Sequence, residues 1–246
     1  AFFAHEIEET HKKGVIEIKE WITKAESKGI FISRTSFIHS RLKLDSEELQ
    51  GFAIADPYAP FVFINSDDWN APQLFTLVHE LAHIWIAETG ISNSIELDIQ
   101  KTSDFNKVEL FCNEVAANVL IPETIIKNLE ISVFKDSKSV FNAARAIGVS
   151  SFSFLVRALN LNVISLPSYK RLKAQADVDF KEYLRKEAEK KAKQKAKENS
   201  GGPNYFLLQL NRNSRLFTQT VLDSFRGGFI EPTLASNLLN VQTNKF

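Results

Sequence analysis

Leu74-Phe75-Thr76-Leu77-Val78-His79-Glu80-Leu81-Ala82-His83-Ile84-Trp85 is a largely apolar, helix-like run that carries a His-Glu-x-x-His pattern. Residues four apart on an α-helix lie one above the other, so His79 and His83 turn both imidazoles to one side, where they can bind a single zinc ion. Glu80, beside the first histidine, can reach water held on that ion. The spacing outlines a hydrolase site.

A catalytic zinc takes three protein ligands and keeps a fourth position for water, so two histidines require one more donor. The chain has five histidines. His5 and His11 fall on a charged N-terminal helix and His39 in a polar loop, where a solvent-facing role is the ordinary reading. A carboxylate on the second strong helical pattern, Val108 to Leu120 with Pro122 after it, is the better candidate. Glu109 and Glu114 compete for the position. Glu109, Asn113, Ala116, Ala117 and Leu120 form a stripe at intervals of three and four, whose alanines permit close approach of two helices. Glu114 falls about 140° from Glu109 around the helix, which favours Glu109.

Around these helices the chain alternates recognisable signals. His5 to Lys28 reads as an amphipathic helix through Ile7, Val15, Ile18, Trp21, Ile22 and Ala25. Ile30 to Ser33, Phe52 to Ala55 and Phe61 to Asn65 are short runs rich in aromatic and β-branched residues, with Asp56-Pro57 and Ala59-Pro60 as punctuation, and predict a small antiparallel sheet. Asp67, Asp68 and Asn70 are capping candidates for the histidine-bearing helix. Further helices are predicted at Glu123 to Leu129, Lys138 to Ile147 and Ser151 to Leu159, with Gly148 as a stop. Tyr169 to Glu198 is a charged helix ended by Asn199-Ser200-Gly201-Gly202-Pro203. The tail then predicts a strand, Tyr205 to Leu210, and helices at Ser214 to Phe225 and Glu231 to Leu239. The resulting division is 1–165, a charged connector at 166–203, and a small α/β tail at 204–246.

The chain has 246 residues, enough for a substantial core, and its 30 basic residues balance 30 acidic ones. Bulk charge therefore gives no reason to expect nucleic acid or an anionic membrane as partner. With its interspersed glutamates, the lysine-rich segment, Arg185 to Lys197, reads as a solvated helix or a flexible connector in preference to a nucleic-acid surface. The single cysteine, Cys112, cannot form an internal disulfide, and with no histidine at a recognisable spacing it reads as a small packing residue rather than a nucleophile. Without a leader or a long apolar run, a cytoplasmic location is expected. Methionine is absent, including at position 1, so the sequence is read as trimmed or incomplete and compact motifs carry more weight than long-range register.

Phe75 to Trp85, followed by Glu109-Leu110-Phe111-Cys112-Asn113-Glu114-Val115-Ala116-Ala117-Asn118-Val119-Leu120-Ile121-Pro122, resembles the ImmA/IrrE family of zinc metallopeptidases. Gly51 to Ile54 and Pro60 to Asn65 resemble that family's strands, and the likeness is clearest over residues 30–122. It implies an α+β, zincin-like domain with a mainly helical core. It also implies Glu109, the glutamate ahead of the Cys-Asn pair, as third zinc ligand beside His79 and His83. Glu80 is the expected general base, and manganese is a possible substitute for zinc in vitro. Tyr58, Tyr169 and His39 are open candidates for stabilising an oxyanion, and strand Phe61 to Asn65 is a candidate for pairing with an extended substrate. Members of the family cleave helix-turn-helix transcriptional repressors, which sets the expected protein substrate. Many carry a DNA-binding domain ahead of the peptidase, and none is evident in the N-terminal stretch. A different expectation is a non-proteolytic binding module that sequesters a regulator or belongs to a toxin–antitoxin pair.

Overall fold

The computed structural model describes residues 17–39, 42–87, 90–92, 104–195 and 205–242. The chain divides into two compact units, one built from residues 18–113 with 205–242 and the other from residue 17 with residues 114–195.

The first unit opens with helix α1 (Ile18–Ser27), which buries Ile18, Trp21 and Ala25 at helical spacing. Gly29, at φ 85°, ends it as a left-handed residue that a Cβ would strain, and the amides of Lys28, Gly29 and Ile30 return to the last-turn carbonyls. The predicted part of this helix before residue 17 lies outside the described residues. Strand β1 (Phe31–Thr35) follows, then a two-stranded ribbon of β2 (Phe37–His39) and β3 (Leu42–Lys43), then β4 (Gly51–Ile54) and β5 (Phe61–Asn65). Asp56 accepts the amides of Tyr58 and Ala59, both at 2.8 Å, and so turns the chain between β4 and β5.

A third element pairs on the far side of β4: strand β6 (Gly90–Ser92) completes a sheet of order β1-β5-β4-β6. The sheet is mixed, not antiparallel throughout as the short runs suggested. β5 pairs antiparallel with β4 but parallel with β1, from Phe31 opposite Phe61 to Thr35 opposite Asn65. The intervening ribbon and β4 give the chain the length it needs to return and insert β5 between its neighbours. β5 is consequently central, and its near-continuous apolar run is buried.

Helix α2 (Asn70–Trp85) packs across β4, β5 and β6 and is buried from Gln73 through His83. Trp69 is its N-cap and makes no side-chain cap bond. The predicted capping residues act elsewhere: Asp67 pairs with Lys43, Asp68 accepts the Trp69 amide, and Asn70 accepts from Arg34. Helix α3 (Asp104–Leu120) continues from this unit into the second.

The tail is helical among its described residues, contrary to the α/β expectation. α8 (Tyr205–Asn213) replaces the predicted strand, and α9 (Arg215–Arg226) and α10 (Pro232–Leu239) follow. A short aromatic run is ambiguous between strand and helix by period alone. Here tertiary contact decides: α8 covers β1, and the Ser33 hydroxyl donates to the Arg212 carbonyl. Glu26 of α1 is buried and accepts from Ser214 Oγ at 2.6 Å and from the Arg215 and Leu216 amides, fastening the start of α9.

The second unit contains α4 (Glu123–Lys127), a 3₁₀ turn at Ile131–Phe134, α5 (Ser137–Ile147), α6 (Ser151–Asn160) and the charged α7 (Leu166–Lys195). Asp136 and Ser150 cap α5 and α6 through the amides of Ser139 and Ser153, and Gly148, at φ 86°, ends α5. Buried Arg157 donates to the Ile121 carbonyl and to Asn118 Oδ1. Among the described residues, no single helix is long and apolar enough to cross a membrane. The expected α+β class stands, with helix predominating outside the sheet.

Candidate metal centre

Helix periodicity carries His79 and His83 to the same side of α2, with ring centroids 4.9 Å apart and the two Nε2 atoms 3.1 Å apart. The side chains are 3% and 1% exposed. From α3, Glu109 places Oε2 3.2 Å from His79 Nε2 and Oε1 3.2 Å from His83 Nε2. The three groups form a triangle of donors whose ligand atoms lie within 4.8 Å of one another.

This triangle has the size that a metal requires. Tetrahedral bonds of about 2.0–2.1 Å to nitrogen and oxygen separate neighbouring ligands by about 3.3 Å, close to the spacing here. Two lone pairs and a carboxylate facing one another repel unless a proton or cation lies among them. The ionisation balance expresses the same demand. Burial works against a charged His83, yet contact with the Cys112 thiol and the Glu109 carboxylate pushes its pKa well above the ordinary imidazole value. Burial would raise Glu109, but hydrogen bonds from His79 and His83 hold it well below the usual carboxylate range. A divalent ion would supply that positive charge, and the residues fit one.

A fourth residue orients the set. Asn113 Oδ1 lies 3.0 Å from His79 Nδ1. Acceptance there places the proton on Nδ1 and leaves the Nε2 lone pair for the centre, as outer-shell partners of metal-bound histidines do. Asn113 stands one turn beyond Glu109, so a single face of α3 delivers both carboxylate and support. The same stripe is visible in the sequence, but only the fold assigns Asn113 its contact. Cys112 is free and fully buried as expected; its thiol also reaches His83, a contact that no sequence spacing signals.

Glu114 is exposed and lies in the second unit. His5 and His11 lie outside the described residues; His39 belongs to β2, and its side chain also lies outside them. Tyr58 is 94% exposed, and Tyr169 lies on α7 in the other unit. Strand β5 has neighbours on both sides, so it offers no edge for an extended substrate. Glu80, at 0% exposure, is turned towards β4.

An α+β domain with a helix-borne His-Glu-x-x-His and a converging carboxylate defines a metallopeptidase-type protein. Residues 25–159 match the M78 peptidase family, described as the IrrE N-terminal-like domain, and the chain belongs to that family. The match includes the sheet, α2 and α3. Comparison with curated proteins found no match.

Proposed function

We propose that the chain is a zinc-dependent endopeptidase that cleaves a helix-turn-helix transcriptional repressor and so relieves repression. The observation that carries the reading is the triangle that His79 and His83, on the helix that also bears Glu80, form with Glu109 of α3. His79, His83 and Glu109 would hold the ion, with Asn113 fixing the ring of His79. A bound zinc supplies Lewis acidity, polarising a peptide carbonyl and bringing the pKa of water towards neutrality. Glu80 takes the proton from the attacking water and passes it to the leaving amine. The N/O donor set would also accept manganese. A transcriptional regulator as substrate places the reaction in the cytoplasm.

The test is co-incubation with the helix-turn-helix regulator encoded nearest this gene, comparing wild type, Glu80→Gln and chelator-treated protein by intact mass. One metal-dependent cut, absent in Glu80→Gln, is expected. A stable complex with no cut and one zinc per chain would instead indicate a binding module that sequesters its partner.

A further inference from the structure

Two glycines of the sheet face α2, Gly51 beside Thr76 and Gly90 beside His83. Gly51 on β4 pairs with Ser92, and Ala53 pairs with Gly90 on β6, so Gly51, Ala53 and Gly90 share one face of the sheet. A Cβ at position 90 would stand 2.6 Å from both Nδ1 and Nε2 of His83 and closer still to Cε1. It would meet the ring itself rather than the end of a flexible chain. Gly90 does not have the positive φ of Gly29, Gly148 and Gly228, so its backbone conformation suits any L-residue. Glycine is required there for close approach alone.

The ring has little freedom to evade a side chain. His83 is buried, Cys112 and Glu109 contact it, and His79 Nε2 lies 3.1 Å from its own Nε2. We infer that Gly90 is a positioning residue for the metal centre: its bare Cα lets β6 close against the face of His83 and holds that imidazole in line with His79 and Glu109. A methyl group at this position turns the ring away from the shared centre. Misplacing one of three ligands weakens the site even when the fold survives.

Gly51 provides the contrast. A Cβ there would meet Thr76 Cγ2 at 2.6 Å and the Phe63 carbonyl at 2.8 Å, and would come to 3.3 Å from Glu80 Oε1, touching no metal-ligand candidate. Alanine at 51 therefore strains the sheet and helix without turning a ligand, whereas alanine at 90 acts through His83.

The inference rests on the metal-site reading, and two measurements on the full chain separate them. In the first, zinc affinity is measured by competition with a chromophoric chelator, and the visible absorption of the cobalt-loaded protein is recorded. Gly90→Ala is expected to weaken zinc binding about 10- to 100-fold, the range for disturbed outer-shell support, and to alter the cobalt bands, while Gly51→Ala loses stability but keeps its zinc affinity. Unchanged affinity and cobalt bands in Gly90→Ala would overturn the inference. In the second, melting temperatures of the metal-free wild type, Gly90→Ala, His83→Ala and the double variant form a cycle. Gly90→Ala should lower the melting temperature with His83 present and have little effect in the His83→Ala background, where no ring remains to be struck. Equal losses in both backgrounds would overturn the contact. If Gly90→Ala does not fold but the double variant does, the inference is supported; if neither folds while His83→Ala does, it is overturned. Absence of zinc binding by the wild type would defeat the proposed function, while the metal-free cycle would still decide the role of Gly90.

Discussion

The side-chain oxygen of Asn113 stands 3.0 Å from Nδ1 of His79, on the side of the ring opposite the nitrogen that lies 3.2 Å from Glu109. One acceptor therefore determines which nitrogen carries the proton and which faces the centre. Removing it in Asn113→Ala frees the ring to rotate or change tautomer. Zinc affinity, measured by chelator competition, should fall about 10- to 100-fold, whereas Asn113→Asp, which keeps an acceptor, should retain most of it.

Glu80→Gln preserves size and burial but removes the base. The variant should bind one zinc per chain with wild-type affinity, and its turnover on a cleavable repressor or peptide should drop about 100- to 10,000-fold. Equal turnover would remove Glu80 from the mechanism.

The metal-free chain should depend on pH through the His83–Glu109 pair. His83 is raised from 6.5, so its contribution is full below that value and is lost as pH rises towards about 10. Glu109 is lowered from 4.5, so its contribution is full above that value and is lost as pH falls towards about 2. The joint contribution is therefore largest between about pH 4.5 and 6.5. Melting temperature against pH checks this, and saturating zinc should abolish the alkaline decline because the ion replaces the proton.

Glu26 joins α1 to the start of α9 by accepting from Ser214 Oγ at 2.6 Å, the Arg215 amide at 2.8 Å and the Leu216 amide at 3.2 Å. Glu26→Ala leaves a hydroxyl and two helix-start amides without that acceptor, a loss of about 2–4 kcal/mol. Thermal unfolding should show a drop of several degrees, with Glu26→Gln falling in between. An unchanged melting temperature would mean that the tail is not fastened here.

Several features follow from sequence alone because short-range geometry decides them. The spacing of His79 and His83 matches the helical repeat wherever the helix lies. Asp136, Gly148 and Ser150 mark their helix ends through local backbone bonds, and these ends fall within a residue or two of the predicted boundaries. That Glu109 and Asn113 share one face of α3, with Glu114 off it, is legible for the same reason, since residues three and four apart define one face before the partner helix is known.

Other features became definite only when distant segments met. The strand order, the parallel pairing of β1 with β5 and the enclosure of β5 depend on how the chain returns, which alternation along a strand does not encode. Tyr205–Asn213 is a helix because β1 offers it a surface to cover, while its aromatic start suits either conformation. Cys112 beside His83, Asn113 beneath His79 and Gly90 against the ring of His83 are likewise tertiary facts. The periodicity of one helix specifies which residues face the same way. What those residues meet is set by packing between segments far apart in the chain.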